Sequence, residues 1–308
     1  DTGRPAPPIL VARATILDQR GATLWNMGRL ETAIESYAEA LVIYRALGMG
    51  RLEARALNSM GMVFSALGEY EEALAHYKSA LKLDQAHGDR SHIAQKLGNI
   101  GHCYSDLGDV DRAESYLGKA LKLAEQTGDL AAAAEAAVSL GQAKLQRGAA
   151  RAGLDLFERG LALATSNRDR YQEVRATQYI ALAHLTLGNP PQAVLDIARS
   201  ATDWARKMPM LVGIIYGLAL QALALSRLGR HPEAIACADD AVARLEGARA
   251  DGAEHVHRWR AEVLAAAGET AAARAALDRA ATEIATKAAK LRDPELRALY
   301  LASRQTPR

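Results

Sequence analysis

The chain has 308 residues, of which 49% are hydrophobic but only 5% aromatic, with 38 Lys and Arg against 36 Asp and Glu. So even a charge balance leaves no field to hold a polyanion, which excludes nucleic acid as a general partner. Much of the apolar content is alanine, the best helix former and small enough to let helices approach closely, so the composition predicts helices with thin interfaces.

The opening Arg4-Pro5-Ala6-Pro7-Pro8 reads as a proline-rich linker over residues 1–10. It lacks the apolar core of a signal peptide, and a chain beginning at Asp1 reads as a piece of a longer one. From residue 11 a period takes over. Glycines recur at Gly28, Gly68, Gly108, Gly148, Gly188, Gly229 and Gly268, at spacings of 40, 40, 40, 40, 41 and 39. Other positions keep phase with this ladder. Five residues later stand Ala33, Ala73, Ala113, Gly153, Ala193, Ala234 and Ala273; seven residues earlier stand Gly21, Gly61, Gly101, Gly141, Ala181, Ala222 and Ala261. Large residues fall between them at helical spacing, as in Leu57, Met60 and Phe64 or Leu97, Ile100 and Tyr104. Each unit is therefore expected to be two amphipathic helices meeting small residue against large.

The punctuation agrees. A ladder glycine suits the left-handed C-terminus of the first helix, and Pro191 and Pro232 suit the first turn of the second, where a missing N–H costs nothing. Gly88-Asp89 and Gly128-Asp129 are expected to end one repeat and cap the next, with Asn167 and Pro209 as the breakers in the fifth and sixth. The apolar stretch 210–225 is too short for a membrane span, contains Tyr216 and Gln221, and reads as a buried helix. At the end, Asp293-Pro294-Glu295 opens a helix with Leu296, Leu299 and Tyr300 on one face. Residues 292–308 are thus expected to be a capping helix over the final repeat, plus a tail.

The segment Ala56-Leu57-Asn58-Ser59-Met60-Gly61, followed by Phe64, Leu67-Gly68, Ala73, Tyr77 and Ala80-Leu81, resembles a tetratricopeptide repeat. The third repeat matches through Leu97, Gly101, Tyr104, Leu107-Gly108, Ala113 and Ala120-Leu121. The period exceeds the family's usual length of about 34 residues. The extension is similar to the longer-helix branch of kinesin light chains, cell-polarity adaptors and bacterial sensory proteins. The run Arg292 to Leu301 resembles the tail of such regions in bacterial Ser/Thr kinases and ATPase-coupled signalling proteins. The resemblance implies an all-α, right-handed α-solenoid of about seven helix-turn-helix repeats over residues 11–291, plus the C-terminal capping helix.

No constellation for catalysis is present: GxxxxGK[ST], HExxH and GxSxG are all missing. His255 and His257 are two residues apart, which places them on different faces of a helix. Cys103 and Cys237 lie far apart without CxxC spacing and read as small-residue packing. No enzyme, cofactor or metal is expected, and the unpaired cysteines suit a reducing, cytoplasmic setting.

The family likeness implies that the first helix of each repeat lines the concave face. Along that stripe stand Arg55, Asn58 and Met62, then Gln95, Asn99, His102 and Ser105, then Glu135 and Gln142, then Arg175 and Gln178, with Tyr216 further on. Such side chains can donate to and accept from an extended peptide backbone, and Asn58 and Asn99 resemble the asparagines that hold a peptide main chain in the longer-helix relatives. The leading expectation is a peptide- or protein-binding adaptor or sensor within a larger bacterial signalling protein. A small-ligand sensor of a transcription regulator is the second reading. A homodimer scaffold is the third, through the apolar face of repeats five and six (Leu182, Leu185, Tyr216, Ala219 and Leu223). The lysine and asparagine pattern that would clamp a chaperone's C-terminal carboxylate is missing, because Asp18, Ala22, Met62 and Gln95 occupy its places.

Overall fold

A computed structural model describes residues 7–208, 210–246 and 252–305. Its described residues form fifteen α-helices in chain order. These are α1 (Pro8–Asn26), α2 (Leu30–Ala46), α3 (Gly50–Ala66), α4 (Tyr70–His87), α5 (Arg90–Leu107), α6 (Val110–Thr127), α7 (Leu130–Gln146) and α8 (Ala150–Asn167). They continue as α9 (Arg170–Thr186), α10 (Pro191–Lys207), α11 (Leu211–Arg227), α12 (His231–Glu246), α13 (Ala253–Ala266), α14 (Thr270–Lys290) and α15 (Pro294–Gln305). Seven helix pairs and a fifteenth helix make an all-α solenoid. Pro8, Ile9 and Leu10, assigned to the linker from sequence, are already helical, because a proline at the first helical position gives up no hydrogen bond. Residues 1–6 and 306–308 lie outside the described residues.

Every ladder glycine has positive φ, from 72° at Gly28 to 84° at Gly268. The residue after it donates its N–H five positions back, as Glu69 does to the Phe64 carbonyl at 2.9 Å, the hydrogen bond that closes a left-handed helix end. Between repeats Gly48, Gly88 and Gly128 do the same, and Asp89, Asp129 and Asp169 then cap the next helix by accepting the N–H of His92, Ala132 and Gln172. In the fifth repeat the breaker is not Asn167, which is the last residue of α8, but Arg168, a non-glycine at φ 58°. Pro209, the other expected breaker, lies outside the described residues. Because a side chain in this region costs about 1–2 kcal/mol, Arg168→Gly is expected to stabilise the chain by about 1 kcal/mol. A higher urea midpoint at unchanged slope is the result to look for, and a lower one refutes the strain.

Small-against-large packing has definite partners. A Cβ added at Gly21 would lie 2.7 Å from the Tyr37 ring; at Gly61, 2.6 Å from Tyr77; at Gly101, 2.6 Å from Leu117; at Gly141, 2.6 Å from Phe157. In the first four repeats this first-helix glycine thus receives the large side chain of its own second helix.

Curvature follows from which helices touch. Each odd-numbered helix from α1 to α11 contacts the next odd one as well as its sequence neighbours, whereas among the described residues the backbones of the even-numbered helices stay apart and are linked by long side chains, as in the Arg159–Glu125 ion pair of α8 and α6. The first helices are therefore crowded on the inside of the curve and the second helices splay on the outside.

Helix α15 follows the seventh repeat and packs on its α13 and α14 as expected, and its buried face also reaches a second surface that was not expected. Leu296 and Tyr300 join Leu291 and Ala288 in one apolar cluster with Tyr70, Ile100, Cys103, Tyr104 and Leu107 of repeats two and three. The Tyr300 and Tyr70 rings lie 6.2 Å apart, and Ser303 sits where a side chain at Gly108 would go. Lys290 Nζ donates to the Leu67 carbonyl at 2.6 Å, a cation at a helix C-terminus. The Arg292 and Asp293 backbone N–H groups both donate to Glu71 at 2.7 Å. The superhelix winds far enough for its end to lock onto its second and third repeats.

Candidate functional site

The inner helices carry the candidate residues, and side-chain hydrogen bonds tie neighbouring inner helices together. Arg55 of α3 donates to buried Asp18 of α1 at 2.6 Å. Asn99 Nδ2 of α5 donates to Asn58 Oδ1 of α3 at 2.8 Å. Arg175 of α9 donates to Ser139 of α7 at 3.2 Å and lies over the Tyr179 ring, 5.9 Å from its centroid. Gln178 of α9 donates to the Gly213 carbonyl of α11 at 2.5 Å. Burial pushes the Tyr179 phenol pKa up, while Arg175 beside it pulls the other way.

These contacts sort the sequence-derived residues by accessibility. Arg55, Met62 and Gln95 are exposed on the inner helices, and Asn99, His102, Gln142 and Arg175 are half-buried there. Asn58 and Gln178 are buried, so their polar groups chiefly join helices. Ser105 is buried as well. His102 faces Asp106 one turn away at 3.6 Å. Tyr216 is half-buried and packs edge-on against Trp259, ring centroids 5.7 Å apart, with its hydroxyl against Gly252. It works as an internal brace, which corrects its place among the groove residues.

The stretch 210–225 forms the buried helix expected, α11, so the apolar face that the homodimer reading needs is largely closed. Leu185, Ala219 and Leu223 are at most 3% exposed, because α11 is enclosed by α9, α10, α12 and α13. A helix apolar on all sides is stable only when wrapped in this way. No described helix is long and apolar enough to cross a membrane.

Sequence reading met Asp18 only as a mismatch to the carboxylate clamp and passed over Ser139 and Gln172, which bond between or within the inner helices. A signal for the stripe was present: thirteen residues before each ladder glycine stand Thr15, Arg55, Gln95, Glu135, Arg175, Tyr216 and His255, polar or amphipathic in every repeat. The cysteines fit packing. The Cys103 thiol, buried, donates to the Tyr70 carbonyl at 3.6 Å, and burial pushes the Cys237 thiol pKa up, away from a reactive thiolate. Among the described residues no group of three His, Cys, Asp or Glu is placed to hold a metal ion.

Family models described as tetratricopeptide repeat match residues 12–86, 92–166, 215–240 and 255–279, more than half of the chain. The chain belongs to the tetratricopeptide repeat family. No curated protein matches this repeat protein by sequence. Among solved structures it is similar to the Rap conjugation gene regulator of plasmid pLS20 in complex with the Phr* peptide. That match has 15% identity and a TM-score of 0.76, covering 90% of this chain and 75% of that one. Aspartyl phosphate phosphatase F from Bacillus subtilis matches at 15% identity and TM-score 0.72, with 89% and 70% covered. A kinesin light chain with nearly identical repeats from Podosopora anserina matches at 13% identity and TM-score 0.50, covering 65% of this tetratricopeptide repeat chain and 98% of its own. At such identities the likeness is one of fold.

Proposed function

We propose that this tetratricopeptide repeat chain is a non-catalytic module that binds an extended peptide segment along its concave face, as a cytoplasmic part of a larger bacterial signalling protein. The observation that carries this reading is the polar stripe itself. Part-buried bonds such as Asn58–Asn99 and Asp18–Arg55 tie the inner helices together, while Arg55, Met62, Gln95 and part of Asn99 stay accessible. A rigid surface with donors and acceptors at repeat spacing suits a peptide main chain, which offers both at every residue. The regulator solved with the Phr* peptide supports the same reading by showing what a solenoid of this shape can hold.

The test selects binders for the full chain from a random heptapeptide library and measures them by fluorescence anisotropy. A side-chain hydrogen bond contributes about 1 kcal/mol, so Gln95→Ala with Asn99→Ala is expected to weaken binding about tenfold or more at unchanged helicity. Asn58→Ala is a poorer probe, since its burial makes stability respond too. Peptide affinity that ignores the double substitution would move the site off this face.

A further inference from the structure

Several cations of the inner helices are spent on acids of the chain: Arg55 on Asp18, Lys96 on Asp84, Lys144 on Glu114 and Arg170 on Glu173. Arg175, half-buried in the first half of α9, has no carboxylate partner among the described residues. It is nonetheless held in place. One N–H donates to Ser139 of α7 at 3.2 Å, the guanidinium lies 5.9 Å from the centroid of the Tyr179 ring, and that ring stacks in turn on Phe157 of α8 at 5.1 Å. Neither Nε nor Nη1 is buried, so solvent reaches both. Arg175 also shares its place in the repeat with Arg55 and Gln95, each thirteen residues before a ladder glycine and both exposed.

A half-buried guanidinium without a counter-ion is an incomplete pair. Fixing it beforehand removes much of the ordering that a free arginine undergoes on binding, and partial burial weakens the screening that leaves surface ion pairs nearly worthless. Its planar fork fits both oxygens of one carboxylate. A peptide main chain carries no such charge, so the complement is an acidic side chain or the chain's own C-terminus. Reach is sufficient. Helices α5 and α9 stand two inner helices apart, about 20 Å at usual packing distances, which an extended heptapeptide covers. We propose that Arg175 is a subsite that takes a carboxylate of the peptide bound in the groove. The subsite rests on the peptide-binding reading above and adds a charge to what that peptide must carry.

The experiment takes heptapeptides selected on the full chain, changes each Asp or Glu to its amide or amidates the C-terminus, and measures binding by fluorescence anisotropy. One such change is expected to weaken binding at least tenfold on the native chain and less than twofold on Arg175→Met, which keeps an unbranched stem on Tyr179. A sensitive Asp or Glu assigns the carboxylate to a side chain, and a sensitive C-terminus assigns it to the chain end. Equal losses on both proteins, or no loss, overturn the subsite. A second readout depends neither on a variant's folding nor on a selected peptide. In the arginine-labelled native chain, the Arg175 Nε–Hε resonance is expected to respond to N-acetyl-L-glutamate N-methylamide at concentrations at least fivefold lower than that of exposed Arg168, and not to the glutamine counterpart. A response no different from Arg168 overturns the subsite. The two readings fail separately. Peptides that need Gln95 and Asn99 but ignore Arg175 keep the groove and remove the subsite, and peptides that need Arg175 but ignore Gln95 and Asn99 do the reverse.

Discussion

Glu254→Gln is expected to cost about 3–5 kcal/mol of stability and to loosen the closure of the superhelix. The Glu254 carboxylate is 1% exposed at the start of α13 and pairs with Lys287 of α14 at 3.1 Å and Arg304 of α15 at 3.5 Å. Arg304 in turn donates to the Asp106 carbonyl of α5 at 2.6 Å and lies 3.7 Å from the centroid of the Tyr300 ring. Removing the anion leaves two largely buried cations, and one-sided loss of a buried pair is costly because the remaining charge has lost its compensation. Acid should do the same. Burial alone would raise the Glu254 pKa, but Lys287, His255, Arg304 and its own backbone N–H outweigh burial and hold it at about 2, against an ordinary 4.5. A depressed carboxylate pKa stabilises the fold above the unfolded value, and that stability is lost as pH falls from about 4.5 towards 2. At 1.36 kcal/mol per unit this amounts to about 3 kcal/mol. Urea midpoints at pH 7, 4 and 3 check it: the native chain should lose about 2 kcal/mol of this contribution by pH 3, a loss that Glu254→Gln should lack. Small-angle scattering should also show the variant with a larger radius of gyration. Identical acid limbs in the two proteins would remove Glu254 from the closure.

The second large effect lies inside one repeat. Phe157 is fully buried, stacks on Tyr179 of the next repeat with centroids 5.1 Å apart, and lies against the bare backbone of Gly141. Phe157→Ala should cost about 3–5 kcal/mol through lost burial and the cavity left behind. Gly141→Ala should cost about 1–3 kcal/mol by overpacking, because its new Cβ would also stand 3.0 Å from the Gly153 carbonyl, which as backbone cannot turn aside. Since the added methyl enters the space the ring vacates, the double variant should be more stable than the sum of the singles by at least 1 kcal/mol in chemical denaturation. Strict additivity would show that the two residues do not share that space.

Which positions of the first helices keep accessible surface was partly readable in advance: Arg55, Met62, Gln95 and Asn99 do, and a 40-residue period carries each phase to the same side of every repeat. Tyr216 holds the phase of Arg55 and Gln95 yet packs on Trp259, because a neighbour specific to its repeat claims it, whereas Gln178 shares the phase of Asn58 and is buried like it. Periodicity assigns a face and leaves the partner open.

The sequence by itself determined the elements and their pairing. Left-handed turns at the ladder glycines, aspartate caps at Asp89, Asp129 and Asp169, and glycines set against large side chains are interactions within about one repeat, and local chemistry specifies them. Only the tertiary structure decided that α15 meets repeats two and three, some 200 residues away, and that Glu254, Lys287 and Arg304 share one buried site. The physical reason is that a solenoid's pitch is the sum of small rotations, one per repeat. Each is set by packing too fine to read from residue type, yet together they decide whether the two ends touch.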